Sequence, residues 1–391
     1  MINVTEAKQL IIDNCPAPII MALPLIEACG SILAEPVYAL IDTPTFHQSA
    51  MDGYAFSYEN WDKKSPLIVN GEIQTGNYSN QLLQPNEAIR IFTGAPVPPG
   101  ADTVVMQEKI LTNGNSIVIQ DEYLVKGSNV RPHGSQTKKG EIALLPERLL
   151  TPTGVSFLAG IGIHEVNVFS KPTVSIIVTG KELTKAGGEI TEGKIFESNS
   201  VGLIAALHQL GISPLSVEIV DDKEAEIEQA ISRQLHADIL ILTGGVSVGD
   251  YDLVPASLEK CGVKKVFHKV KQKPGKPFYF GRHRQTLVFA LPGNPAAVMS
   301  CYYEYLVPAI SNFTHKNNLK KLFLPLAEDF QKKPGLTYFL KGKTGEKNVT
   351  VLNDQESYLL NSFAVADCLI ELEEEKEYFK KGDLVSICMI I

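Results

Sequence analysis

The sequence is short of what several protein classes require. Its six cysteines (Cys15, Cys29, Cys261, Cys301, Cys368 and Cys388) include no C-x-x-C pair and sit mostly among apolar residues. That spacing and setting predict buried free thiols in a reducing compartment. Basic residues are the minority: 36 Lys and Arg against 44 Asp and Glu leave a net charge of −8. A general nucleic-acid binder carries the opposite balance. No apolar run is long enough to cross a bilayer. The opening "MINVTEAKQLIIDNC" mixes charged and apolar residues like an amphipathic helix, unlike a signal peptide. The expectation is a cytoplasmic protein with no nucleic-acid and no membrane partner. Ser/His/Asp constellations, H-x-x-x-H patterns, tandem repeats and low-complexity tracts are also missing.

What is there reads as a folded chain of several domains. At 391 residues it exceeds one ordinary core, so two to four domains are expected. Residues 3–14 predict a short helix, and "APIIMALPLIEACGSILAEPV" a strand followed by a small-residue helix. From 44 to 140, short β-rich pieces such as "PLIVNG", "AIRIF" and "DTVVMQE" alternate with Gly, Pro and Asn turns. Residues 141–171 return to helix-like and strand-like text. They are expected to join residues 1–43 in one discontinuous N-terminal domain, with 44–140 inserted. Residues 172–315 alternate apolar strands with helices, which implies right-handed βαβ units and a parallel sheet covered on both faces. Residues 319–391 read as a second small β domain. The expected fold class is a multidomain, elongated α/β chain: a parallel-sheet α/β domain plus β-rich domains.

In open parallel sheets ligands bind beyond the carboxyl ends of the strands, so three strand ends matter. "VTGKEL" carries Gly180 and Glu182. "ILTGGVSVGDYD" carries Gly244, Gly245, Ser247, Asp250 and Asp252. "LPGNPAAV" carries Pro292, Gly293 and Asn294, with Asn294 placed as an N-cap and Pro295 at the first helical position. Glycines there let a ligand lie against the backbone, and N–H groups at a helix start attract oxyanions. Taken singly, each cluster reads first as turn chemistry; taken together at one rim of one sheet, they point to a ligand site.

"HKVKQKPGKPF" gathers Lys269, Lys271, Lys273 and Lys276. On a strand the first three would share one face, suited to a multiply charged anion. Glu182, Glu197, Asp221, Asp250 and Asp252 are expected around the same rim, whereas Asp222 reads as a helix N-cap. Acids and lysines together point to a phosphate ester with a divalent metal, since Mg2+ takes oxygen ligands. In the β-rich part, "SAMDGYAF" places Asp52 amid apolar neighbours, where a buried acid needs partners. "RIFTGAPVPPGADTVVMQE" brings Thr93 and Gly94 to the entry of a rigid proline loop.

These motifs, "SAMDGYAF", "IFTGAPVPPGADTVVMQE", "VTGKEL", "ILTGGVSVGDYD", "KPGKPFYFG" and "LPGNPAAVM", follow one another in order. Together they resemble the MoeA family of molybdenum cofactor biosynthesis, whose eukaryotic relatives are the E domains of gephyrin and the plant Cnx proteins. The resemblance covers nearly the whole chain and is weakest in the last seventy residues or so. It implies a molybdopterin molybdenumtransferase. Molybdenum from molybdate enters the dithiolene of adenylylated molybdopterin, while the adenylate is hydrolysed and AMP leaves in a step needing Mg2+ or another divalent metal. It also implies four domains, a homodimer with each active site shared between subunits, and a molybdopterin adenylyltransferase as upstream partner.

Carried over position by position, the resemblance assigns Asp52, Thr93, Glu182, Asp221, Asp252, Lys269 and Lys273 to catalysis. Glu182, Asp221 and Asp252 are the expected metal-facing acids. Gly180, Gly244, Gly245, Ser247, Lys276, Pro292, Gly293, Asn294 and Ser362 are the expected binding residues. The chain departs from the family pattern at Gln136 and Lys181, where acids are usual, at His47 and Gln48 in place of Asp-Asn, and at Leu336 or Lys341, where arginine is frequent. Two other readings are a catalytically weak pterin-binding or scaffold protein of the same fold, and a nucleotide-binding hydrolase built on the α/β module.

Overall fold

Three mostly apolar runs, Val174–Thr179, Ile239–Thr243 and Thr286–Leu291, are buried along their whole length. In the computed structural model, which describes residues 1–246 and 253–390, they are neighbours in one sheet. Its strands are β1 (Val174–Thr179), β2 (Ser216–Val220), β3 (Ile239–Thr243), β4 (Lys264–His268), β5 (Tyr279–His283) and β6 (Thr286–Leu291), in the order β2-β1-β3-β6-β5-β4. The first four of that order are parallel, and β5 and β4 complete the sheet antiparallel.

Alternate side chains of a strand point to opposite faces, and both faces here are covered. Ile176, Val178, Ile241 and Phe289 face one apolar cluster; Ile177, Leu240, Leu242 and Val288 face another. Each such side chain contributes about 1.5–3 kcal/mol when fully buried, which is why these strands tolerate no polar alternation. Over the first face lie α1 (Val4–Asn14), α2 (Asn199–Gln209), and the helical stretch that contains α5 and α6 below. Over the second lie α3 (Glu224–Gln234) and α4 (Val254–Lys260). The expected parallel α/β sheet is therefore present.

Several local expectations need correction. The helix after "LPGNP" is not one long α-helix. It runs as α5 (Pro295–Cys301), a π-helical stretch Tyr302–Leu306, and α6 (Val307–Thr314). Pro308 at the start of α6 has no N–H to give to a regular ladder, and a π segment absorbs such a break. No helix follows strand Ile20–Pro24; residues 25–30 form turns, with Pro24 O accepting from the N–H groups of Glu27 and Ala28. Helix α1 buries Val4, Ala7 and Ile11 in the α/β core and groups with residues 169–391, not with 141–168.

The second compact unit, Ala22–Val168, holds a six-stranded sheet. Its strands lie in the order Thr103–Met106, Gly53–Phe56, Glu87–Ile91, Leu67–Ile73, Ser116–Ile119, Ile110–Asn113. Phe56, Leu67, Ile89, Ile91 and Val104 fill its core. A separate cluster joins Leu25, Leu33 and Ala39 to Leu150, Leu158 and Val168. Gly53 is obligatory in its strand, because a Cβ there would stand 1.9 Å from Val105 O.

The last part of the chain belongs to the same unit as the α/β sheet. It forms a sheet ordered Gln272–Lys273, Thr337–Thr344, Cys368–Leu372, Leu384–Met389, Lys321–Pro325. Its first strand comes from the lysine-rich turn and pairs parallel to Thr337–Tyr338. No helix of the described residues is long and apolar enough to cross a membrane.

Candidate functional site

A cavity of about 510 Å³ opens at the carboxyl ends of β1 and β3 and beside the turn that follows β6. Gly180, Gly244, Gly245, Gly293 and Asn294 line it, with Glu182, Glu197, Asp222, Asn199 and Tyr358. The sheet dictates this floor. Gly244 has φ +89°, and a Cβ on it would stand 2.4 Å from Thr179 O. Neighbouring strand ends therefore approach too closely for any side chain, and the same absence leaves bare backbone facing the cavity. Gly180 has φ +152°, a backbone conformation that side-chain-bearing residues rarely adopt.

The acids have separate roles. Glu182 is exposed at the rim. Glu197, buried, accepts from the backbone N–H of Ser200 at 2.7 Å and from its hydroxyl at 2.5 Å, and so caps the start of α2. Asp221 does not line the cavity; its carboxylate pairs with Lys223 at 3.0 Å, a contact that holds its pKa below the usual value. Asp222, expected as a helix cap, does line it. Helix α3 begins one residue later than a cap there requires, with Lys223 at the cap position, and Asp222 Oδ2 accepts from the Lys181 N–H at 3.2 Å. Nothing in the local sequence separates two adjacent aspartates; only the exit angle of β2 does.

The start of α5 is not a source of free donors. The Ala296 N–H donates to Ser357 O at 3.0 Å, and those of Ala297 and Val298 return to Asn294 O. Asn294 occupies the N-cap position without capping; its amide donates to Ser357 Oγ at 2.7 Å. Pro292 is buried behind the lining. Ser362 is buried in the C-terminal part and donates to Asp354 O at 2.7 Å, so it supports a loop and does not face the cavity. Tyr358, carried by that loop, is the residue from this region that lines the site.

The lysines do not share one strand face. Strand β4 ends at His268, and Lys269 has φ +73°, which breaks the alternation. Lys271 pairs with Glu374 at 2.6 Å. Lys273, on the short strand Gln272–Lys273, and Lys276, on the turn after it, are exposed, and the Lys273 ammonium lies 5.3 Å from the centre of the Tyr338 ring. Lysine is not among the residues lining the cavity.

Asp52 and Thr93 belong to the other unit. Asp52 is half-buried at the end of the Gly53–Phe56 strand, and Thr93 gives it both its N–H, at 2.8 Å, and its hydroxyl, at 2.7 Å. These bonds hold the Asp52 carboxyl below its ordinary pKa. Ser247, Asp250 and Asp252 lie outside the described residues. Among the described residues no three His, Cys, Asp or Glu side chains stand close enough to share a metal ion. Asp221 is engaged by Lys223, and no chemical step is derived through a divalent ion.

The arrangement is a glycine-floored cavity edged by hydrogen-bond acceptors and by two aromatic rings, Phe196 and Tyr358. It suits a planar polar molecule whose N–H groups meet Glu182 and Asp222.

Comparison with known proteins covers almost the full chain. Residues 2–162 match the family model described as MoeA N-terminal region (domain I and II), 175–312 that of a probable molybdopterin binding domain, and 324–390 that of the MoeA C-terminal region (domain IV). A molybdopterin molybdenumtransferase of Haemophilus influenzae is 33% identical over 99% of this chain and 98% of its own. One from Nostoc sp. is 33% identical over 92% of this chain and 81% of its own. A crystal structure of a molybdopterin biosynthesis MoeA protein from a Pyrococcus species superposes with a TM-score of 0.85 at 26% identity, covering 100% of this chain and 99% of that one.

Proposed function

Since this chain belongs to the MoeA family, we propose that it is a molybdopterin molybdenumtransferase of molybdenum cofactor biosynthesis. It inserts molybdenum from molybdate into adenylylated molybdopterin and releases AMP. The observation that carries this reading is the cavity at the ends of β1 and β3, whose lining, Tyr358 apart, falls within the segment matching a probable molybdopterin binding domain. Its glycine floor lets a flat ring lie against backbone, and Glu182 and Asp222 accept the ring's N–H groups. Lys269, Lys273 and Lys276 supply positive charge for phosphate and molybdate. Asp52, held by Thr93, serves as an acid or ligand.

The finer parts of the proposal follow the family. They are a homodimer with shared active sites, a molybdopterin adenylyltransferase upstream, and a requirement for Mg2+ or another divalent ion, with no ligand set assigned. A four-part division (1–43 with 141–171, 44–140, 172–315 and 319–391) belongs to the same proposal, with helix α1 packed on the third part; its boundaries near 171 and 315 agree with the ends of the family matches.

The test is to incubate the purified protein with adenylylated molybdopterin, Mg2+ and molybdate, then measure AMP and molybdenum in the recovered cofactor. Coupled AMP release and molybdenum incorporation are expected. Tight pterin binding with neither product would overturn the enzyme reading in favour of a scaffold of the same fold.

A further inference from the structure

A buried lysine in the C-terminal sheet reaches the candidate site through a single loop. Lys341, on strand Thr337–Thr344, is 3% exposed. Its ammonium donates to three carbonyls: Asp354 O, Glu356 O at 3.3 Å and Leu359 O at 3.1 Å. Its backbone is bonded in both directions to the Gln355 amide, at 2.9 Å each way. An ammonium has three donors, and here all three are spent on one loop. Residues 354–359 are thus drawn onto the sheet by their backbone.

The same loop is fixed at its other side. Ser357 accepts from the Ala296 N–H and from the Asn294 amide, both at the start of α5. Between these two anchorages stands Tyr358, 64% exposed, on the wall of the cavity. Among the described residues its hydroxyl has no hydrogen-bond partner and its ring no aromatic neighbour. A backbone held this firmly carries a large, mostly exposed ring on the wall of a cavity that Gly180, Gly244, Gly293 and Phe196 also line.

We propose that Tyr358 is a substrate-binding residue, its ring stacking on a planar heterocycle of the substrate, and that Lys341 is the residue that positions it. This rests on the reading of the cavity as a pterin site and names a residue that recognises the ring. The adenylylated substrate carries two flat heterocycles, pterin and adenine, and stacking chemistry is common to both.

The experiment titrates the full-length protein with 6-hydroxymethylpterin and, separately, with AMP, and follows turnover of adenylylated molybdopterin. Aromatic–base stacking of this kind is lost on alanine substitution with a weakening of about tenfold or more. Tyr358→Ala is therefore expected to raise the Kd of one probe and the KM by about that factor, with kcat within about twofold. Tyr358→Phe should restore wild-type values. A change confined to the pterin arm assigns the ring to pterin, and one confined to AMP assigns it to adenine. Lys341→Met should weaken the same probe, and the double variant should be no worse than Tyr358→Ala, because residues acting through one contact are not additive. Unchanged binding of both probes and unchanged KM in Tyr358→Ala would sink the proposal while leaving the enzyme reading intact. So would equal loss in Tyr358→Phe. A wild-type protein that binds neither probe and turns over no substrate would remove both.

Discussion

Asp52 and Thr93 are joined twice: the threonine donates its N–H and its hydroxyl to the same carboxylate oxygen, Asp52 Oδ1. Two donors on one oxygen favour the ionised acid. Thr93→Val keeps the backbone donor and loses the hydroxyl. The Asp52 pKa should then rise toward the ordinary value, and Thr93→Ser should leave it low, as read by carboxyl-carbon NMR titration. In the insertion assay, Asp52→Asn should lower the rate by about tenfold or more, the scale of a lost positioned acid, with the fold intact.

Helix α1 is tied to the core by charge as well as by packing. Lys8 Nζ lies 2.6 Å from Glu304 Oε2 and 3.2 Å from Glu371 Oε2, and Glu304 is 1% exposed on the π-helical stretch. Burial alone would lower the Lys8 pKa, but the two carboxylates outweigh it and hold it above the usual value. Lys8→Met leaves Glu304 buried and uncompensated, and should cost about 3–5 kcal/mol in urea unfolding. Adding Glu304→Gln should recover part of that loss. A raised lysine pKa stabilises the fold below the unfolded value and stops doing so as pH climbs through the folded one. The wild type should therefore lose its advantage over Lys8→Met above about pH 10.4.

The turn after Trp61 gives an acid-side prediction. Asp62 accepts from the N–H groups of Lys64 and Ser65 and from the Ser65 hydroxyl, and these bonds bring its pKa down to about 2 from 3.8. A depressed carboxyl pKa adds stability above the unfolded value and loses it as pH falls through the folded one. Thermal unfolding followed from pH 5 to pH 2 should show a decline for the wild type between about pH 4 and 2 that is shallower in Asp62→Asn.

The thiols should divide by burial. Cys301, Cys368 and Cys388 are buried, and desolvation pushes each up to about 12. Cys29 is exposed. The thiolate is the reactive form, so iodoacetamide at pH 8 should label Cys29 in the native protein and leave those three until denaturant is added. Peptide mass spectrometry reads the order.

The α/β core was legible because three of its strands, β1, β3 and β6, are buried on both faces and so contain little but apolar residues. A run such as "TVSIIVTG" leaves little else to read. The rim glycines and Glu182 were legible for a related reason, since they follow directly where such a run ends. Three features lay out of reach. Asp221 and Asp222 differ by one position, and a single residue of rotation at the end of β2 decides which faces the cavity. The lysine face failed because Lys269 adopts a left-handed backbone that no alternation rule anticipates. Tyr358 is separated from Asn294 by more than sixty positions, and only the Lys341 and Ser357 bonds bring it to the wall.

The parallel pairing of Gln272–Lys273 with Thr337–Tyr338 makes the lysine turn common property of two sheets. A chain cut before residue 319 would forfeit more than its last sheet, because the turn bearing Lys273 would become a bare edge with unmet amides and open to foreign strands.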